Sequence, residues 1–177
     1  MRNILRSTSA ALALASLLQA AAAEEVSTPV PASLTPEAAT PLLDMVVVWL
    51  ATNFDLVASF RHPALAVASP QKLAELRYGP GVPYDPGEVV AVYKDEEGMI
   101  YLGEHWDGRT PAGLSVLVHE MVHHLQNAGG TRFACPAERE VLAYRAQEGW
   151  LELFGRSLAD EFGIDKTTLM LRATCAY

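Results

Sequence analysis

The segment Thr110–Gly130, TPAGLSVLVHEMVHHLQNAGG, contains a helix start, a helix stop and a chemical motif. Thr110 can accept a hydrogen bond from a first-turn N–H, and Pro111 sits where a missing N–H costs nothing. Gly129-Gly130 ends the helix. Between them Leu114, Leu117, Val118, Met121, Val122 and Leu125 follow the i, i+3, i+4, i+7 spacing of a helix buried along one stripe. His119, Glu120 and His123 project almost opposite that stripe, where a surface helix normally carries Lys and Glu. A helix apolar on one side and bearing two His on the other suits the floor of a cleft.

Two His four residues apart lie about 40° apart in azimuth and one turn along the axis, so both imidazoles reach one ion, with Glu120 beside them. Zinc is the expected metal. A catalytic zinc takes three protein ligands and leaves one position for water. His62 and His105 lie upstream, and His124 points off the ligand face. The position six residues beyond His123, where a longer motif carries a third His, is Gly129. A carboxylate is therefore favoured.

The following helix, expected from Cys135-Pro136 through at least Phe154, offers Glu138 and Glu140. Its apolar arc is Leu142, Ala146, Trp150, Leu151, Leu153 and Phe154. Glu138 projects with Arg145, Glu148 and Glu152 on the charged side. Glu140 lies at the margin of the apolar arc with Tyr144, Gln147 and Leu151, and a carboxylate turned toward packed surface needs a partner. A metal would be one; a tyrosine or arginine would be another. Glu138 and Cys135 stay open as alternative ligands.

HEMVH followed by Glu140-Val-Leu-Ala-Tyr144 resembles the zincin metallopeptidases of the gluzincin type, whose second helix carries E-x-x-x-D or E-x-x-A-D. The resemblance spans roughly residues 88–154 and is shared with small secreted bacterial proteins bearing an HExxH helix. It implies zinc held by His119, His123 and Glu140, Glu120 as general base, and a hairpin whose outer strand pairs with substrate backbone along the cleft. At Tyr144 the chain departs from the family, which often has there an Asp that orients the first His. Tyr101, His105, His124 and Tyr144 are candidates for the oxyanion donor. Trp49, Trp106 and Trp150 are read as core or cleft lining.

The remaining chain supplies the frame. With 177 residues, half of them apolar, it is long enough for one domain with a genuine core. Thr40-Pro41 opens an apolar helix to about Thr52 containing Leu43, Val46, Val47 and Leu50. Ser69-Pro70 opens a short one ending near Gly79, and YGPGVPYDPG is a loop. EVVAVY and MIYLG, separated by Asp95-Glu96-Glu97-Gly98, form a β-hairpin. Shorter helical pieces follow Phe154. The fold class expected is α+β: a minimal zincin-like domain, several helices packed on a small antiparallel sheet or hairpin, with a shallow cleft open to an extended segment.

Residues 1–23 read as a secretory signal peptide, with Arg2 and Arg6 before an Ala- and Leu-rich run and Ala21-Ala22-Ala23 at its end. Residues 24–40, rich in Pro, Ser, Thr and Ala, read as a flexible linker, leaving 41–177 as the metallopeptidase domain. The run is short for a bilayer span, so no stable membrane anchor is expected after cleavage. A periplasmic or secreted location follows, where Cys135 and Cys175 are expected to pair. The formal net charge of −8 excludes a basic nucleic-acid footprint and modestly favours cationic partners. A monomer acting on a peptide or protein substrate is expected. Two other readings stand beside it: a zinc-binding secreted protein without hydrolytic activity, and a structural domain in which the motif is coincidental.

Overall fold

The computed structural model describes residues 35–85 and 87–175. The segment read as a signal peptide and most of the segment read as a linker lie outside the described residues. Helix α1 (Pro36–Phe54) begins five residues before the expected start. Thr35-Pro36 repeats the same Thr-Pro start signal, so Pro41 falls inside the helix, where it removes one backbone hydrogen bond without ending it. Leu43, Val46, Val47 and Leu50 are buried as expected.

Strand β1 (Ala64–Ala68) follows, then α2 (Pro70–Tyr78), capped by Ser69 Oγ accepting from Lys72 N. The hairpin is present as β2 (Ala91–Lys94) and β3 (Met99–Gly103), with Gly98 at φ 60° closing its turn. The sheet order is β1-β3-β2. β3 pairs antiparallel with β2 and parallel with β1, so the sheet is mixed. The α+β class holds, whereas β1 adds a parallel edge that the hairpin alone did not announce.

α3 (Pro111–Ala128) carries the motif, with Thr110 Oγ1 accepting from Gly113 N. Gly113 is needed for a second reason: a Cβ there would meet the Asp107 carbonyl oxygen at 1.7 Å. α4 (Pro136–Glu152) packs along α3, followed by α5 (Leu158–Phe162) and α6 (Lys166–Arg172). α4 stops two residues short of the expected end, and Leu153 and Phe154, assigned to its apolar arc, are exposed. A turn through Gly155, at φ 67°, redirects the chain there.

The main core joins α1, one face of the sheet, α3 and α4, through residues such as Val46, Ile100, Leu117, Met121 and Ala143. α2 covers the other sheet face with Leu73 against Ala68 and Val92. α5 and α6 close on α4 around Tyr144, Leu151 and Leu158. Every residue of α3 from Ser115 to Gln126 is buried, so this helix is the axis of the fold. Trp49 and Trp150 meet edge to face in the core, and Trp106 donates to Gly113 O. Cys135 and Cys175 form the expected disulfide. Among the described residues no helix is long and apolar enough to cross a membrane.

Candidate metal centre

α3 and α4 bring His119, His123 and Glu140 together with their ligand atoms within 4.8 Å of one another, a group able to hold a metal ion. His119 Nε2 lies 3.2 Å from His123 Nε2 and 3.2 Å from Glu140 Oε2, and His123 Nε2 lies 3.5 Å from the same carboxylate oxygen. These residues and Glu120 are only 6–9% exposed.

The far nitrogen of each ring fixes its tautomer. Gln147 Nε2 donates to Ser115 Oγ at 3.3 Å, and Ser115 in turn donates to Ala112 O. The Gln147 amide oxygen therefore faces His119 Nδ1, 3.1 Å away, which must carry the proton. Gln126 repeats the device: its Nε2 donates to Arg139 O, and its Oε1 receives the His123 Nδ1 proton at 3.1 Å. Arg139 Nε donates to His123 Nδ1, at 3.3 Å, only in the other tautomer, the one that a metal on Nε2 excludes, and its guanidinium is held by Asp95 at 2.7 and 3.0 Å.

Both Nε2 lone pairs thus point at each other and at a carboxylate oxygen, three acceptors with no proton between them. Such a cluster is repulsive unless a cation occupies its centre or a ring gains a second proton. Two imidazoles, one carboxylate and outer partners on both rings fit a divalent metal such as zinc. Burial pushes the Glu140 carboxyl up, but where the rings carry that second proton their hydrogen bonds and charges outweigh burial and hold the group well below the usual carboxylate range. Arg77 adds a contact of 3.5 Å to Glu140 Oε1.

Glu120 faces the same cleft. Burial is the main cause that raises its pKa above 4.5, with the Glu140 charge adding to it, while His119 and the Tyr93 backbone N–H pull the other way. Glu120 is absent from the three-ligand group. Both properties suit a proton acceptor rather than a ligand.

The alternatives weighed in the sequence separate cleanly. Glu138 is exposed and accepts from Ala134 N at the start of α4, and Cys135 is in the disulfide. His124 donates from Nε2 to Arg61 O at 2.7 Å and accepts from Tyr93 Oη at 3.3 Å, away from the centre. Of the four oxyanion candidates, Tyr144 lines the cleft, whereas Tyr101 donates to Glu97 and His105 lies exposed in the turn after β3. Tyr144 stacks edge-on against the His119 ring at 4.7 Å. The contact to the far nitrogen of His119 comes from Gln147, one turn beyond Tyr144.

The cleft measures 440 Å³ and is bounded by β2 and its approach, α2, α3, α4 and the C-terminal helices. Gly103 N donates to Val90 O and Gly98 N to Lys94 O. By strand alternation Val90, Val92 and Lys94 turn their backbone groups to β3, while Ala91 and Tyr93 turn theirs to the open edge. Arg77, Tyr78, Glu88 and Arg172 also line the cleft. None of them was singled out in the sequence, because they come from α2, a loop and α6, and only tertiary packing unites them.

The family model described as "Domain of unknown function (DUF6647)" matches residues 35–177, and the chain belongs to that family. No curated protein and no solved structure matches the chain.

Proposed function

We propose that this member of the DUF6647 family is an exported zinc-dependent peptidase that cleaves amide bonds in extended peptide segments. The observation that carries the reading is the buried convergence of His119, His123 and Glu140 with a second, non-ligating carboxylate, Glu120, which follows His119 on α3. Zinc bound there would lower the pKa of water toward neutrality and polarise a carbonyl. Glu120, raised in pKa by burial, takes a proton from the attacking water and delivers it to the departing amine as the C–N bond breaks. The Tyr93 backbone N–H favours the ionised form of that carboxylate.

The open edge of β2 presents Ala91 backbone groups to an extended chain, which would add a strand to the sheet. Tyr144 supplies the hydroxyl for the developing oxyanion: its oxygen accepts from Arg172 Nη1 at 3.0 Å, which leaves its own hydrogen free to donate. The disulfide and the sequence of residues 1–23 support an exported, oxidising location.

The test is digestion of a mixed peptide library by the zinc-loaded protein, read by mass spectrometry, with and without a chelator. Glu120→Gln is expected to retain stoichiometric zinc and to lose about 10²–10⁴-fold in turnover. Unchanged turnover in that variant rejects Glu120 as base. Stoichiometric zinc without cleavage by the wild type favours the reading of a metal-binding protein that does not hydrolyse peptides.

A further inference from the structure

The chain is acidic as a whole, yet the cleft beside the metal centre is not. Its lining includes Arg77, Arg139 and Arg172 alongside Glu88, Glu120 and Glu140. Arg139 is committed to Asp95 through two short hydrogen bonds. Arg77 and Arg172 are not committed in this way. The Arg77 side chain is half exposed, and its one ion pair among the described residues is with the outer oxygen of Glu140, at 3.5 Å. Arg172 spends one N–H on the Tyr144 oxygen, and among the described residues it forms no ion pair.

Glu88 is the cleft carboxylate that lies outside α3 and outside the ligand group; it accepts from Tyr78 Oη at 3.0 Å and interacts with the Arg172 charge. With a divalent ion in the centre, the two guanidinium groups of Arg77 and Arg172 and the ion would outweigh Glu88, Glu120 and Glu140 in formal charge. The local field is therefore positive, although the whole chain carries −8. A guanidinium with unspent, coplanar N–H groups matches the two oxygens of a carboxylate. Phe162 and Ile164 line the cleft as well and offer an apolar wall.

We infer that Arg77 and Arg172 form a carboxylate-recognition subsite, so that the preferred ligand is a peptide presenting a carboxylate, next to an apolar residue, on the Tyr144 side of the metal. This inference rests on the peptidase reading for its substrate class. The carboxylate comes from a free C-terminus or from an acidic side chain, and the subsite chemistry is the same for both. The net acidity of the chain, which on its own favours cationic partners, is thus reversed at the site.

Binding to the zinc-loaded Glu120→Gln protein, measured by calorimetry, tests it with three short N-acetylated peptides. One ends in phenylalanine as the free acid, one is its C-terminal amide, and one is an amide with an internal glutamate. At least one carboxylate peptide is expected to bind about tenfold or more tighter than the neutral amide. Which of the two gains identifies the source. Arg172→Met and Arg77→Met should each shrink that ratio, and Arg172→Lys should keep part of it.

Equal affinity for acids and amide overturns the inference. So does a preference that survives both arginine-to-methionine changes, because the carboxylate would then be binding the zinc directly. If Arg172→Met lowers the melting temperature sharply, Arg77→Met decides. Preferential binding without cleavage by the wild type leaves the subsite and removes the peptidase reading; cleavage with no acid preference does the opposite.

Discussion

Replacing Gln147 by Leu removes the acceptor that holds His119 Nδ1–H at 3.1 Å while keeping the volume of a side chain that is 5% exposed. The buried N–H then lacks a partner, at a cost of about 1–3 kcal/mol, and the ring is free to carry its proton on Nε2, where it blocks the ligand lone pair. Loss of such an outer partner weakens metal affinity by roughly 10–100-fold, which corresponds to about 1.4–2.7 kcal/mol. Gln126→Leu should cost more. With Gln126 gone, Arg139 Nε, 3.3 Å from His123 Nδ1, becomes the nearest partner and donates to that nitrogen, driving the proton to Nε2. Gln147→Glu should tighten binding, because an anionic acceptor makes the imidazole a better donor to a cation. Competition titrations of zinc against a chromophoric chelator at neutral pH measure all three. Affinity of Gln147→Leu within about twofold of the wild type, or a smaller effect for Gln126→Leu than for Gln147→Leu, would refute the tautomer argument.

Leu117, fully buried on α3 under the sheet and α1, should lose about 2–5 kcal/mol of stability as Leu117→Ala; denaturant unfolding giving under about 1 kcal/mol would mean that the core relaxes around it. Burial lowers the pKa of His124 below 6.5, with the His62 charge adding to this and the Arg61 carbonyl opposing it. The unfolded chain therefore takes up that proton first, so stability from this site is present above about 6.5 and lost as pH falls through the depressed value. Unfolding of the metal-free protein across this range should be less pH-dependent in His124→Gln, and an identical slope would sink the assignment. The disulfide spans 40 residues, for which chain entropy gives about 4 kcal/mol. Paired Cys135→Ser and Cys175→Ser changes should lower the melting temperature and abolish hydrogen-exchange protection first in α6, which buries no residue; unchanged protection there would contradict this.

The motif helix was legible because its apolar spacing, its Thr-Pro start and its Gly-Gly stop all agree with one element. Glu140 was legible as one candidate among several, since its place at the edge of the apolar arc distinguished it from Glu138. What escaped was whatever depended on distance in space. β1 is only Ala64–Ala68, short and alanine-rich, and becomes a strand by adding to β3 rather than by its own alternation. α1 began earlier because two Thr-Pro pairs, Thr35-Pro36 and Thr40-Pro41, carry the same start signal and local sequence does not rank them. Gln147 and Gln126 gave no signal: an amide becomes an orienting group only when a specific imidazole nitrogen lies within reach. Arg77 and Arg172 stand almost a hundred positions apart and meet only through the packing of α2 and α6 around the cleft.

The enclosure of α3 on every side from Ser115 to Gln126 has a mechanical result. The backbone that carries His119 and His123 cannot move away without disturbing the hydrophobic interior that the same turns anchor through Leu117, Val118, Met121 and Val122. Glu140 is as enclosed as the imidazoles, so entry and departure of an ion would be governed by the rim, where Arg77 is half exposed, while the imidazole half behaves as a rigid jaw whose spacing is set once, when the domain folds.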